Sequence, residues 1–129
     1  MYQNARILVV DDNVLLRNGV STLLQNENWN VCGEAENGKQ AIEKVLALKP
    51  DLVLMDLNMP VMNGVEATKQ IRRLAPSTKI VVLSMHKSQE IETQAKGAGA
   101  EAYVNKSTPF EDLSRVIRQM LGSNRPNPE

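Results

Sequence analysis

Four short apolar runs in this chain each end on residues able to do chemistry: Arg6-Ile7-Leu8-Val9-Val10 on Asp11-Asp12, Leu52-Val53-Leu54-Met55 on Asp56, Lys79-Ile80-Val81-Val82-Leu83 on Ser84, and Glu101-Ala102-Tyr103-Val104 on Asn105-Lys106. Any one of them is ordinary by itself, since acid pairs at strand ends are usually solvated turns and Asp12 or Asn13 would serve as a plain helix cap. Convergence of separate segments on one rim is what carries meaning. Carboxylates about 4 Å apart repel by roughly 4 kcal/mol at an effective dielectric of about 20. A divalent cation removes that repulsion, and Mg²⁺ favours near-octahedral oxygen coordination by one or two carboxylates, waters and a phosphate oxygen. Asp11 or Asp12, together with Asp56, supplies such a shell. No cysteine or histidine is suitably placed on the rim, so the nucleophile is a carboxylate, and attack by Asp56 on phosphorus makes an acyl phosphate. Phosphoryl transfer asks mainly for positioning and charge neutralisation, a part that suits the ammonium of Lys106 opposite the cation. The Ser84 hydroxyl can bond a phosphoryl oxygen only after transfer, so that contact would draw its loop inward.

These residues need strands to present them and helices to cover the strands. The β-branched run Arg6 to Val10 reads as a strand buried on both faces. From Asn13 the period changes, with Leu16, Val20, Leu23 and Leu24 on one helical face and Arg17, Asn18, Gln25 and Glu27 elsewhere. Val31 to Ala35 predicts a second strand, and Asn37-Gly38-Lys39-Gln40 a capped helix start before the buried stripe of Ala41, Ile42, Val45 and Leu46. After the strand ending at Asp56, the turn Asn63-Gly64 opens a helix spaced by Val65, Thr68, Ile71 and Leu74. Ser88 to Ala98 has helical spacing only at Ile91, Ala95 and Ala98 and is the least anchored helix. Thr108 as N-cap, Pro109 in the first turn and Glu111 open the last helix, whose stripe is Phe110, Leu113, Val116, Ile117 and Met120. Gly122 suits a terminator, and the proline-bearing stretch 123–129 reads as the start of a linker after a domain spanning 1–122. Alternating strands and helices predict an α/β fold with an open parallel sheet covered on both sides, ligands binding beyond the strands' carboxyl ends where strand order reverses.

Composition bounds the function. With 129 residues the chain makes one domain, and 15 Lys+Arg against 15 Asp+Glu leave no basic field for a nucleic acid or an anionic membrane. Cys32 is the one cysteine, too few for a disulfide framework or thiolate cluster, and fits a reduced, cytoplasmic setting. No run approaches the roughly 18 apolar residues of a membrane span. Met55, Met59, Met62 and Met85 read as fillers of irregular core and loop gaps.

Position by position, the sequence resembles the receiver domains of bacterial two-component response regulators. The likeness rests on Val9-Val10-Asp11-Asp12, Leu54-Met55-Asp56-Leu57-Asn58-Met59-Pro60, Gly64, Ser84, Tyr103 and Lys106, and covers roughly residues 5 to 121. It implies a flavodoxin-like (βα)5 three-layer sandwich with sheet order 2-1-3-4-5. It implies that Asp11, Asp12 and Asp56 bind Mg²⁺, with Mn²⁺ able to substitute, and that Asn58 lends a backbone carbonyl to the metal. Asp56 would take its phosphoryl group from a sensor histidine kinase or phosphotransfer protein, Lys106 would contact that group, and Tyr103 would change rotamer as Ser84 moves. A homodimer on phosphorylation belongs to the same expectation. The stretch Asn58 to Thr68 looks like the LuxR/NarL/FixJ-type branch, whose transcription factors reach DNA through a helix-turn-helix domain absent from this chain.

Many receivers place a proline, often cis, after the lysine, whereas Ser107 stands here and leaves the Lys106-Ser107 isomer open. His86, two residues after Ser84, is close enough to the rim to influence water's access to an acyl phosphate, although an exposed loop histidine is the simpler reading. The enzyme alternative is an aspartate-nucleophile phosphohydrolase of the haloacid-dehalogenase type. It needs a second aspartate as acid/base where this chain has Asn58. A flavodoxin-like cofactor domain would bring its phosphate against Asp11 and Asp12, and no glycine-rich phosphate loop is present. A degenerate receiver would be expected to have lost an acid or the lysine. The reading that follows is a switch that catalyses its own phosphoryl transfer and dephosphorylation rather than an enzyme acting on other substrates.

Overall fold

Runs of Val, Ile and Leu form the three central strands here because both faces of the sheet are covered there, so nearly every position along them is buried. The computed structural model describes residues 5–57, 59, 62–85 and 88–122. Strands β1 (Arg6–Val10), β2 (Asn30–Ala35), β3 (Leu52–Asp56), β4 (Lys79–Ser84) and β5 (Ala102–Asn105) alternate with helices α1 (Val14–Asn26), α2 (Gly38–Leu48), α3 (Gly64–Leu74), α4 (Gln89–Ala98) and α5 (Phe110–Gly122). All strand pairs are parallel, in the order β2-β1-β3-β4-β5. The expected α/β class and strand order are thus found.

The two-residue period of a strand sorts side chains between two cores. Leu8, Val10, Val53, Met55, Ile80 and Val82 face Ala41 and Val45 of α2, Ala67 and Ile71 of α3, and Ala95 of α4. The alternating residues Ile7, Val9, Leu52, Leu54, Val81, Leu83 and Val104 face Leu24 of α1 and Leu113, Ile117 and Leu121 of α5. Three helices therefore cover one face and two the other. The β1–β2 register shifts between Ile7 and Leu8, so that Cys32 is the extra residue between Val31 and Gly33. Its thiol is half-buried, and burial pushes its pKa above the ordinary value.

Capping follows the sequence closely at three helices. The side chains of Asn13, Asn37 and Asn63 accept backbone N–H bonds at the starts of α1, α2 and α3. The Gln40 amide returns to the N–H of Glu36 at 3.0 Å, one residue ahead of the usual reciprocal bond. At α5 the expected Thr108 cap is displaced: the carbonyl of Pro109 accepts from Asp112 and Leu113, and Thr108 lies one residue earlier in a turn.

The apolar stripe expected on α1 is corrected. Leu24 is fully buried, a contribution of roughly 1.5–3 kcal/mol for such a side chain, whereas Leu16 and Leu23 are 45% and 41% exposed. Two helices do not close that face completely, and Leu16, Val20 and Leu23 instead line a groove of about 260 Å³ against Phe110 and Leu113. Leu46 and Leu74, in the last turns of α2 and α3, are likewise half exposed along a depression of about 320 Å³. Ala95 and Ala98 are the buried residues of α4, which is as lightly anchored as its sequence suggests. No helix among the described residues is long and apolar enough to cross a membrane.

Candidate functional site

Strand order reverses between β1 and β3, which lie side by side with Val10 opposite Met55. Asp11, the residue after β1, and Asp56, the last of β3, are therefore neighbours at the carboxyl rim. Asp11, Asp12 and Asp56 each bring a carboxylate oxygen within 4.8 Å of the other two. Asp11 and Asp56 are buried, and Asp12 is exposed on the turn. Three carboxylate oxygens this close would hold a small, hard divalent cation. The donors are all hard oxygens, as Mg²⁺ and Mn²⁺ require and soft metals do not. The residues fit the group.

Lys106 bridges the two buried acids, its Nζ 2.9 Å from Asp11 Oδ2 and 3.0 Å from Asp56 Oδ1. Burial works against its positive charge, but the hydrogen bonds and charges of Asp11 and Asp56 outweigh that penalty and hold the pKa above the usual lysine value. The ammonium is charged at any physiological pH. Its backbone N–H donates to the Ser84 carbonyl at 2.8 Å, which ties the ends of β4 and β5 together. Ser84 itself is fully buried and stands opposite Asn105 in the ladder. Beside it opens a cavity of about 210 Å³ lined by Leu57, Asn63, Val65, Ile91 and Gln94.

Gly64 lets α3 begin directly against the end of β3. Its N–H donates to the Leu57 carbonyl at 2.9 Å. A Cβ there would lie 2.3 Å from the Asp56 carbonyl oxygen and 2.8 Å from Leu57 Cα. Tyr103 pairs with Val82 in the ladder, packs partly against the core shared by α2, α3 and α4, and lines a shallow depression with Ser88, Gln89 and Glu92. It lies beneath α4 rather than among the carboxylates.

Of the residues expected at the site, Asp11, Asp12, Asp56 and Lys106 are brought together, with Ser84 on the same rim. Asn58 and His86 lie outside the described residues. The Lys106-Ser107 bond is trans, as is every other peptide among the described residues. Met55 is buried and Met59 and Met62 pack partly against the core, but Met85 is 63% exposed and fills no gap.

Arg17 went unrecognised in the sequence. Grouped there with the polar positions of α1, it is only 14% exposed and donates to the Asp11 carbonyl at 2.7 Å. Its partners, the Asp11 carbonyl and the Glu34 carboxylate, lie six and seventeen residues away, and nothing in the helical spacing announces them.

Fold and site together define an α/β receiver-type domain, with an acidic pocket and a lysine at its switch point. A sequence profile of the response regulator receiver domain matches residues 7–118. The chain is 40% identical over 115 residues to the response regulator protein VraR of Staphylococcus saprophyticus, covering 88% of this chain and 55% of VraR. It is also 40% identical over 115 residues to the chemotaxis protein CheY of Thermotoga maritima, covering 89% of this chain and 93% of CheY. A solved LuxR-family two-component response regulator from Aurantimonas sp. SI85-9A1 superposes with a TM-score of 0.89 at 33% identity, covering 95% of this chain and 88% of that one. The chain belongs to the response regulator receiver family, a family of phosphoryl-accepting switches. That membership sets the haloacid-dehalogenase-type alternative aside. The chain spans about 55% of VraR and 93% of CheY.

Proposed function

We propose that Asp56 is the phosphoacceptor of a two-component phosphorelay and that phosphorylation resets the rim formed by Ser84, Lys106 and Tyr103. A carboxylate oxygen of Asp56 attacks the phosphorus of a phosphohistidine on a sensor kinase or phosphotransfer protein. The new O–P bond forms as the N–P bond breaks, and the imidazole leaves with the electron pair and takes a proton from solvent. Asp11, Asp12 and Asp56, with the backbone carbonyl expected of Asn58, would hold Mg²⁺ or Mn²⁺, which would neutralise charge on the phosphoryl oxygens. Lys106 exchanges its contact with Asp56 for a phosphoryl oxygen, and the Ser84 hydroxyl donates to another. The cavity beside Ser84 gives its loop room to move, and Tyr103 follows beneath α4. Attack of water on phosphorus later releases phosphate and restores the carboxylate.

The observation that carries this reading is Lys106 bridging Asp11 and Asp56 with Asp12 in reach. The receiver domain is taken as 1–122, with 123–129 leading toward a helix-turn-helix output domain. The half-length match to VraR and the LuxR-family likeness support that assignment. Transcriptional control, DNA contact through that output domain, dimerisation on phosphorylation and a cytoplasmic location complete the proposal.

Incubation with Mg²⁺ and acetyl phosphate is expected to add one phosphoryl group, read by intact mass and released by hydroxylamine. Asp56→Asn is expected to abolish the adduct. Undiminished labelling of that variant would move the nucleophile elsewhere.

A further inference from the structure

We propose that Arg17 is a positioning residue for the metal-binding acids, fastening the Asp11-Asp12 turn to edge strand β2 through Glu34. The inference rests on the reading that these acids hold Mg²⁺. Its basis is a single guanidinium with two kinds of partner. Arg17 Nη1 donates to the Asp11 carbonyl at 2.7 Å while Nε donates to Glu34 Oε1 at 2.8 Å. The other carboxylate oxygen of Glu34 accepts from the Ser21 hydroxyl at 3.0 Å, and the Glu34 carbonyl accepts from Lys44 of α2. Glu34 is thus held from α1 and α2, and Arg17 transmits that fixed position to the turn.

The location explains why a side chain is needed. The β1–β2 ladder ends at Val10 opposite Ala35, and the Asp11 N–H makes its last backbone bond, to the Ala35 carbonyl at 3.0 Å. Beyond that point the carbonyl of Asp11 points into the span that Arg17 fills. Asp11 is then engaged at every polar atom: N–H to Ala35, carbonyl from Arg17, Oδ1 from the Asn13 N–H at 2.9 Å and Oδ2 from Lys106. The Asp11 carbonyl belongs to the peptide plane that leads into Asp12. Holding it with a planar, multiply bonded guanidinium sets the direction in which the exposed Asp12 carboxylate leaves the backbone.

Arg72 is the internal control. It donates to the carbonyls of Gly99 and Pro76 and to both oxygens of Glu101, but at the opposite end of the sheet, where the described residues form no cluster of three acids. If guanidinium tethers served only the fold, the two arginines would be interchangeable in effect.

Mg²⁺ titration of the unphosphorylated full chain by calorimetry separates the cases, with thermal melts run alongside. Arg17→Ala is expected to weaken Mg²⁺ roughly tenfold, the scale on which groups supporting metal ligands act. Acetyl phosphate labelling of that variant should be slow at limiting Mg²⁺ and recover at saturating Mg²⁺, a split that general loosening would not produce. Arg72→Ala should lower the melting temperature and leave the Mg²⁺ affinity within about twofold of wild type. Should Arg17→Ala fail to fold, Glu34→Gln, which keeps the side-chain shape, should shift the affinity in the same direction by a smaller factor. Wild-type affinity in both Arg17→Ala and Glu34→Gln, or an equal loss in Arg72→Ala, overturns the inference while leaving the metal reading intact. A wild-type chain that takes up no Mg²⁺ overturns both.

Discussion

At the amino ends of the strands, Glu101 and Asp51 each have donors in place. Arg72 meets both oxygens of Glu101, Glu101 accepts the Ile80 N–H at 2.8 Å, and Asp51 accepts the backbone N–H of Arg6 at 2.8 Å. At the carboxyl ends, the three carboxylates of Asp11, Asp12 and Asp56 crowd together, and Lys106 bridges just two of them. The first rim is compensated and braces loops. Among the described residues the second gathers three carboxylates around one ammonium, a crowding that a cation would relieve. Arginine tethers appear at both rims, so the residue type does not mark function. What the tether holds does.

Three variants would break or sharpen that contrast. Lys106→Met leaves two buried acids without their shared cation and is expected to cost about 3 kcal/mol, with millimolar Mg²⁺ restoring part of it. Urea unfolding with and without Mg²⁺ reads this, and a deficit indifferent to Mg²⁺ would deny that the ion takes over the ammonium's task. The pH dependence has a definite sign. The folded pKa of Lys106 lies above its unfolded value of about 10.4, so its stabilisation is complete below that pH and is lost as pH rises through the folded value. The gap between wild type and Lys106→Met should be constant from pH 7 to about pH 10 and narrow above. Narrowing already at pH 8 would contradict the assigned direction.

Gly64→Ala comes next, at about 2–3 kcal/mol, because its Cβ would overlap the Asp56 carbonyl. Phosphoryl acceptance should fall more than stability alone accounts for, since the clash pushes on the acceptor's own backbone. Labelling kinetics compared with denaturation measures both, and a normal rate would show that the carboxyl rim tolerates displacement. Asp12→Asn is the smallest in stability, a gain of at most about 1 kcal/mol without Mg²⁺ because one like charge is removed at a solvent-screened position, yet it should abolish most Mg²⁺ binding. A large stability loss with Mg²⁺ binding retained would reverse the part assigned to this acid.

Legibility in the sequence followed locality. The strands, the Asn37 cap of α2, the Asn63-Gly64 turn that opens α3 and the sparse anchoring of α4 were readable because each depends on residues a few positions apart. Asp11, Asp12, Asp56, Ser84 and Lys106 were readable because each sits where an apolar run stops. The exposure of Leu16, Leu23, Leu46 and Leu74 was not, since periodicity reports which side of a helix is apolar and not how far the neighbouring helix closes over it. Nor did the α5 start fall on Thr108, because the choice between adjacent cap positions rests on the turn from Asn105 that precedes it.

By itself, then, the order of residues determined the α/β alternation, the two buried faces of the central strands and the kinds of group that end them. Tertiary structure alone decided that Lys106 reaches two acids 95 and 50 positions away in the chain at once, and that Arg17 grips both Asp11 and Glu34. The reason is physical: hydrophobic periodicity acts between near neighbours, whereas a pocket of like charges exists only once distant strands have been pressed together by burying the apolar surface on either side of them.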